Sequence, residues 1–372
     1  MKFTILQNDL LGGLQSIAGV IPTRSTTPIL ENILFSFEDN VLTVTGTDLE
    51  VFISTRVTPK TSEETGAVAL PARVVVETVR SLPNIPVTFE SDSNHRVRIT
   101  TDQGVYQLSG LGKENFPEMP VLSNKHEIEI SNTLLNRMFS KTIFAVSSEE
   151  LRPALMGVFL QMDSEEIRMV ATDGHRLSKI VNKSIRTDKG VIRIIIPPKA
   201  VQLAIRHLDE EGSTRMTIDE SGIMFFFDRT TLFSRLVEGE YPDYERVIPR
   251  DNDKQMAADK NMLMASVKRV SLFSSALTHQ IRFSLNTDRL TVCSEDPDIG
   301  GEAKEELAVN YKEDPMEIGY NSQYVLDVLK HIDTDELVFL LKSPVRAALV
   351  SPAVQNDDEN FIMLVMPIKL ST

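Results

Sequence analysis

The residues with the clearest capacity for chemistry are Thr172-Asp173-Gly174-His175-Arg176-Leu177. A carboxylate and an imidazole two positions apart could serve as a general acid–base pair. Such a pair needs a nucleophile to activate, and none adjoins Asp173 and His175 in the sequence. The chain also lacks a Walker A loop, G-x-G-x-x-G, H-E-x-x-H, G-x-S-x-G and any paired-cysteine zinc spacing. Asp173 moreover has counterparts in Asp48 and Asp296, each after a similar apolar strand. A turn explains all three, because Asp accepts hydrogen bonds from its own backbone there. The residues therefore favour binding over turnover, with a hydrolase using His175 and Asp173 as the rival.

The elements that must position this turn are written three times. Leu70-Pro71-Ala72-Arg73 to Leu82 reads as a strand end entering a helix, with Pro71 in the tolerant first turn and Pro83 ending the pattern. Val75, Val76, Val79 and Leu82 share one face, and Arg73 and Arg80, seven residues apart, drift only about 20° on another. Ile196–Leu208 and Tyr320–Ile332 repeat the pattern, placing Arg73, Lys199 and Gln323 126 and 124 residues apart. The strands ending in Asp48, Asp173 and Asp296 recur at 125 and 123. Each copy opens with a strand and a helix, carrying Leu10/Leu14/Ile17, Leu134/Met138 or Leu263/Val267/Val270. Three domains of one α+β fold follow, with boundaries expected at 1–122, 123–250 and 251–372.

At 372 residues each copy can bury its own core, and 41% hydrophobic and 25% charged residues suit a globular protein. The single cysteine, Cys293, lies on an apolar strand and reads as a core residue of a protein in a reducing compartment. Met1–Asp9 is too polar for a signal peptide and no apolar run approaches a membrane span, so a cytoplasmic location is expected. The net charge of −14 argues against a surface coated with nucleic-acid contacts but leaves room for a local basic face.

Such a face is spelled by Arg73 and Arg80, Lys199 and Arg206, and Lys330. These are either a solvated helix stripe or a phosphate-contacting lining. Ile21–Pro28, with Arg24 between two prolines, is a surface loop or a backbone-contacting arm. Gly174–Leu177 and Val365-Met366-Pro367-Ile368-Lys369-Leu370 belong to one copy each. They make a turn and a final core strand, or an apolar, Met-bearing groove for a partner peptide. Asp357-Asp358-Glu359 reads as a solvated loop.

Ala171–Leu177, Val365–Leu370 and the threefold repeat resemble the DNA polymerase III β subunit family of bacterial sliding clamps, over the whole chain. The resemblance implies three tandem clamp domains, with helices lining the inside and antiparallel sheets outside, in a ring-shaped head-to-tail homodimer. It implies no catalysis, cofactor or metal: the ring encircles double-stranded DNA without sequence specificity and gives a polymerase processivity. Implied partners are the polymerase III α subunit, the clamp loader through its δ subunit, other DNA polymerases, and mismatch-repair and ligase proteins. The implied location is the cytoplasm, at replication forks on the nucleoid.

Carried over by residue, Arg24, Arg73 and Lys199 would face DNA, and helical geometry adds Arg80 and Arg206. The partner pocket would comprise Leu155, Thr172, Gly174, His175, Arg176, Leu177, Pro242, Arg246, Val247, Val345, Met366 and Pro367, flanked by Asn321 and Tyr324. Leu272 and Phe273 would meet Leu82, Tyr106 and Leu108 of another chain. Glu149 and Pro153-Ala154 replace a glutamine and a tyrosine pair common in the family, so no DNA contact is carried over to that loop. Ser371-Thr372 extends past the usual terminal leucine.

Overall fold

A computed structural model describes residues 1–123, 126–188, 190–296 and 300–370; the Ser371-Thr372 extension lies outside the described residues. Among these, six α-helices occur: α1 (Gln7–Ala18), α2 (Ala72–Ser81), α3 (Asn132–Thr142), α4 (Pro198–Ile205), α5 (Lys260–Val270) and α6 (Ser322–Lys330). They fall two to a copy, as the repeat predicts. None is long and apolar enough to cross a membrane. Apolar spacing decides which face each buries. Leu10, Leu14 and Ile17 of α1 and Val75, Val76 and Val79 of α2 are core, while Arg73 and Arg80 stay exposed. Leu263, Val267 and Val270 of α5 and Val325, Val328 and Leu329 of α6 repeat this.

The helix ends differ from expectation: Leu82, expected to share the helical face of Val75, Val76 and Val79, is the extended C-cap of α2 (φ −78°, ψ 146°). Pro71 is not in the first turn of α2; it closes the strand Gly66–Pro71 and caps the helix at φ −54°. With no N–H, it suits the point where the strand's row of donors stops. Arg206 is not a helical residue, since α4 ends at Ile205. His207 and Leu208 donate to the carbonyls of Ala204 and Ile205, tightening the chain into a turn.

Contacts group the chain into two compact units. The first comprises residues 1–136 and 199–236. Its five-stranded sheet runs Thr61–Glu64, Lys2–Leu6, Pro86–Ser91, Arg96–Thr100, Val105–Ser109. Its eight-stranded sheet runs from His126–Ser131 through Ser213–Ile218, Ile223–Phe226 and Thr230–Ser234, then Val51–Val57, Val41–Thr47, Asn32–Glu38 and Gly66–Pro71. The continuity comes from Thr230–Ser234 pairing antiparallel with Val51–Val57, Leu232 opposite Ile53. Phe52 and Phe233 pack there with Leu122 and Met224.

The second unit comprises residues 137–198 and 237–372. Its nine-stranded sheet includes Ile167–Thr172, Arg176–Asn182 and Glu359–Val365, with Arg176 opposite Val365. Its four-stranded sheet is Gly301–Ala308, Arg289–Asp296, Gln280–Asn286, Met316–Asn321. Cys293 is buried, as expected. Glu359 corrects the expectation of a solvated acidic loop. It begins a strand, its side chain is 5% exposed, and both its oxygens accept from Arg137 at 2.6 and 2.7 Å. Asp357 and Asp358 are exposed, as expected.

Candidate partner-peptide site and DNA-facing residues

The Thr172–Arg176 turn is built by its own side chains. The Thr172 hydroxyl donates to the Arg176 carbonyl (2.6 Å) and accepts from the Gly174 N–H (3.1 Å). Asp173 Oδ1 accepts from the N–H groups of His175 and Arg176, each at 2.9 Å. Gly174 sits at φ +88°, where a side chain is disfavoured. The Asp-turn expectation therefore holds at Asp173, and Thr47 and Asp48 repeat it in the first unit; Asp296 departs from it, being the buried last residue of the strand Arg289–Asp296, opposite Gly301.

Arg176 fixes this turn to its surroundings. Its Nε donates to Asp173 Oδ2 (3.1 Å), and its terminal nitrogens donate to Asp327 Oδ2 on α6 (2.5 Å) and the Phe144 carbonyl (2.8 Å). The guanidinium lies 4.9 Å from the Tyr324 ring centroid and 5.5 Å from that of Phe144. Burial works to raise the Asp327 carboxyl, but hydrogen bonds from Lys330 and Arg176 prevail and hold it below the usual carboxylate range. With both Asp173 oxygens spent on Arg176 and two amides, Asp173 is not free to orient the exposed His175 ring. That removes the physical basis for the hydrolase reading.

His175 instead adjoins the C-terminal segment. Its carbonyl accepts from the Met366 N–H at 2.8 Å, and its ring lies 5.9 Å from that of Tyr324. Ile368 N–H then donates to Gly319 (2.8 Å), where a Cβ would come within 2.6 Å of the Ile368 oxygen. Beneath lies a buried cluster that includes Leu155, Phe159, Leu177, Tyr241, Tyr244, Ala347 and Leu364. Exposed apolar residues adjoin its members along the chain: Pro242 and Val247 beside the two tyrosines, Val345 beside Ala347, and Met366 beside Leu364. Pro367 follows, half-buried, and exposed Arg246 pairs with Asp243 at 2.7 Å. Asn321 caps α6, accepting from the N–H groups of Gln323 (2.9 Å) and Tyr324 (3.4 Å). Burial pushes the Tyr241 hydroxyl well above its ordinary value, so it stays neutral.

Sequence reasoning missed Phe159, Tyr244, Phe144 and Asp327. The available signal was Tyr241 beside Pro242, with a second tyrosine, Tyr244, three residues on. Nothing local marks Phe144 or Asp327.

In the first unit, Arg24, Arg73, Arg80 and Arg206 are exposed. Arg80 pairs with Glu77 at 3.3 Å. Lys199 is already engaged, its Nζ 2.5 Å from Asp48 Oδ2 and 3.1 Å from the Val20 carbonyl. Tyr106 and half-buried Leu108 lie on Val105–Ser109, the edge strand of the five-stranded sheet. Leu82 is 7% exposed and offers little surface to another chain. In the second unit Leu272 and Phe273 are exposed just after α5.

Three tandem copies of one α+β plan, carrying an apolar surface and, among the described residues, no assembled catalytic group, define a clamp-type binding protein. Residues 1–120, 129–243 and 245–369 match, in turn, the N-terminal, central and C-terminal domains of the DNA polymerase III beta subunit. Over its whole length, and that of each relative, the chain is 33% identical to the beta sliding clamp of Pseudomonas aeruginosa and 30% to that of Vibrio cholerae. It matches the crystal structure of the Pseudomonas aeruginosa sliding clamp bound to griselimycin with a TM-score of 0.94 and 33% identity, both chains fully covered. The chain belongs to the beta sliding clamp family, whose members are non-catalytic processivity factors of DNA replication.

Proposed function

We propose that two copies of this chain close head to tail into a ring around duplex DNA and tether the replicative polymerase to its template. The domains are then 1–122, 123–250 and 251–372, with helices toward the hole. Arg24, Arg73 and Lys199, aided by Arg80 and Arg206, meet phosphates and not base edges, so binding carries no sequence preference. Val105–Ser109 and Gly301–Ala308 each end a sheet with an unpaired row, the kind of edge that accepts another strand. Leu272 and Phe273 of one copy pack beside Tyr106 and Leu108 of the next, with Leu82 beneath.

The observation that carries this reading is the apolar cluster bordered by the Thr172–Leu177 turn and Met366, with no catalytic machinery beside it among the described residues. It suits a short apolar peptide segment. The α subunit, the clamp-loader δ subunit, other polymerases, mismatch-repair proteins and ligase would take turns there, in the cytoplasm on the nucleoid. Light scattering tests the ring directly: a stable monomer at micromolar concentration would count against it. Titration with a peptide carrying a clamp-binding motif tests the pocket, and Met366→Ala together with Leu177→Ala should weaken it at least tenfold.

A further inference from the structure

The two Thr-Asp turns differ in one respect that bears on DNA. In both, Oδ1 of the aspartate accepts from the backbone of its own turn: His175 and Arg176 for Asp173, Glu50 and Val51 for Asp48. The second oxygen of Asp173 is taken by the Arg176 side chain three residues on. The corresponding residue after Asp48 is Val51, which offers no cation. Oδ2 of Asp48 is therefore left to reach Lys199 on α4, at 2.5 Å. The Lys199 ammonium also donates to the Val20 carbonyl at the end of the first copy's opening helix, 3.1 Å away. Its side chain remains 41% exposed, so a phosphate can still approach it.

We propose that Asp48 is a positioning residue that acts as an internal counter-ion for Lys199, holding the ammonium at a fixed place and moderating its hold on a passing phosphate. The inference rests on the DNA-facing reading of Lys199. A cation neutralised by a carboxylate at hydrogen-bond distance recruits fewer counterions, and so contributes less to salt-dependent DNA affinity. A protein that must slide gains from such moderation, because a full-strength phosphate contact would have to break at each step. The arrangement is particular to this turn: Arg73 in the first copy has no such partner among the described residues, and the third copy has Gln323 in the lysine's place.

Asp48→Asn is the discriminating variant, since the amide keeps an oxygen for the Glu50 and Val51 N–H groups and removes only the charge facing Lys199. Binding of the whole protein to a short linear duplex is measured across a salt series for the wild type, D48N, K199Q, D48N/K199Q and R73E. D48N should tighten binding about two- to fivefold and steepen the salt slope by up to about 0.9. The gain should vanish in the K199Q background, which separates release of Lys199 from a general loss of negative charge. A gain of equal size in both backgrounds, or no gain in either while K199Q and R73E still weaken binding, overturns the inference and leaves the DNA-facing reading standing. If K199Q and R73E also leave binding unchanged, the DNA-facing reading fails and the inference with it.

Discussion

Arg176 and Asp327 meet at 2.5 Å, joining the Thr172–Arg176 turn to helix α6 across 151 residues of sequence. Because the same guanidinium holds Asp173, the Phe144 carbonyl and the Tyr324 ring face, the packing of the turn against α6, and with it the wall of the proposed pocket, depends on it. Asp327→Asn should lower stability by about 1.5–3 kcal/mol, the range for hydrogen bonds to charged groups, and weaken a pocket-binding peptide. Thermal unfolding and calorimetric titration read the two effects separately. Unchanged peptide affinity in a folded variant would show that the wall does not depend on this pair.

Gly319 gives a steric test of the C-terminal segment. A Cβ there would stand 2.6 Å from the Ile368 carbonyl oxygen, so Gly319→Ala must push Pro367–Lys369 away from the strand Met316–Asn321. Overpacking of this kind costs about 1–3 kcal/mol. Peptide affinity should fall further than stability predicts, because Met366 directly precedes the displaced run.

Helix α1 carries an opposite opportunity. Gly12 is exposed in the middle of the helix, and a Cβ there would meet nothing within 4 Å. Gly12→Ala should stabilise the protein by about 0.5–1 kcal/mol, chiefly by restricting the unfolded chain. Denaturant titration should show a raised midpoint with an unchanged slope.

Acid stability should depend on Asp219, which is 9% exposed. Burial works to raise its carboxyl, but bonds from the Ser123 and Ser221 backbone and hydroxyl groups prevail and bring it to about 2, against an ordinary 3.8. A folded value below the unfolded one stabilises the fold at pH above the ordinary value. That contribution, about 2 kcal/mol, is lost as pH falls from near 4 toward 2. Asp219→Asn should flatten the stability–pH curve in that window while leaving other carboxylates to act. A curve as steep as the wild type's would assign the acid sensitivity elsewhere.

The repeats were legible because their signals are local. Apolar spacing in Leu70–Leu82 and the Thr-Asp pairs at 47–48 and 172–173 each carry their structural cause within a few residues. Illegible were the side-chain partnerships across the chain. Lys199 finds Asp48 151 residues away, and Glu359 finds Arg137 222 residues away. No periodicity encodes such pairs, since they arise only when sheets bring distant turns together. Glu359 looked solvated because its neighbours Asp357 and Asp358 are, although strand alternation turns it inward. Arg206 looked helical because the apolar pattern runs on to Leu208, whereas the backbone closes at Ile205.

Encirclement holds DNA by topology and not by contact strength. After loading onto nicked circular duplex by a clamp loader and ATP, the protein should stay bound through a high-salt gel-filtration column, and linearising the circle should release it within the same run. Equal loss from circular and linear DNA would contradict the account.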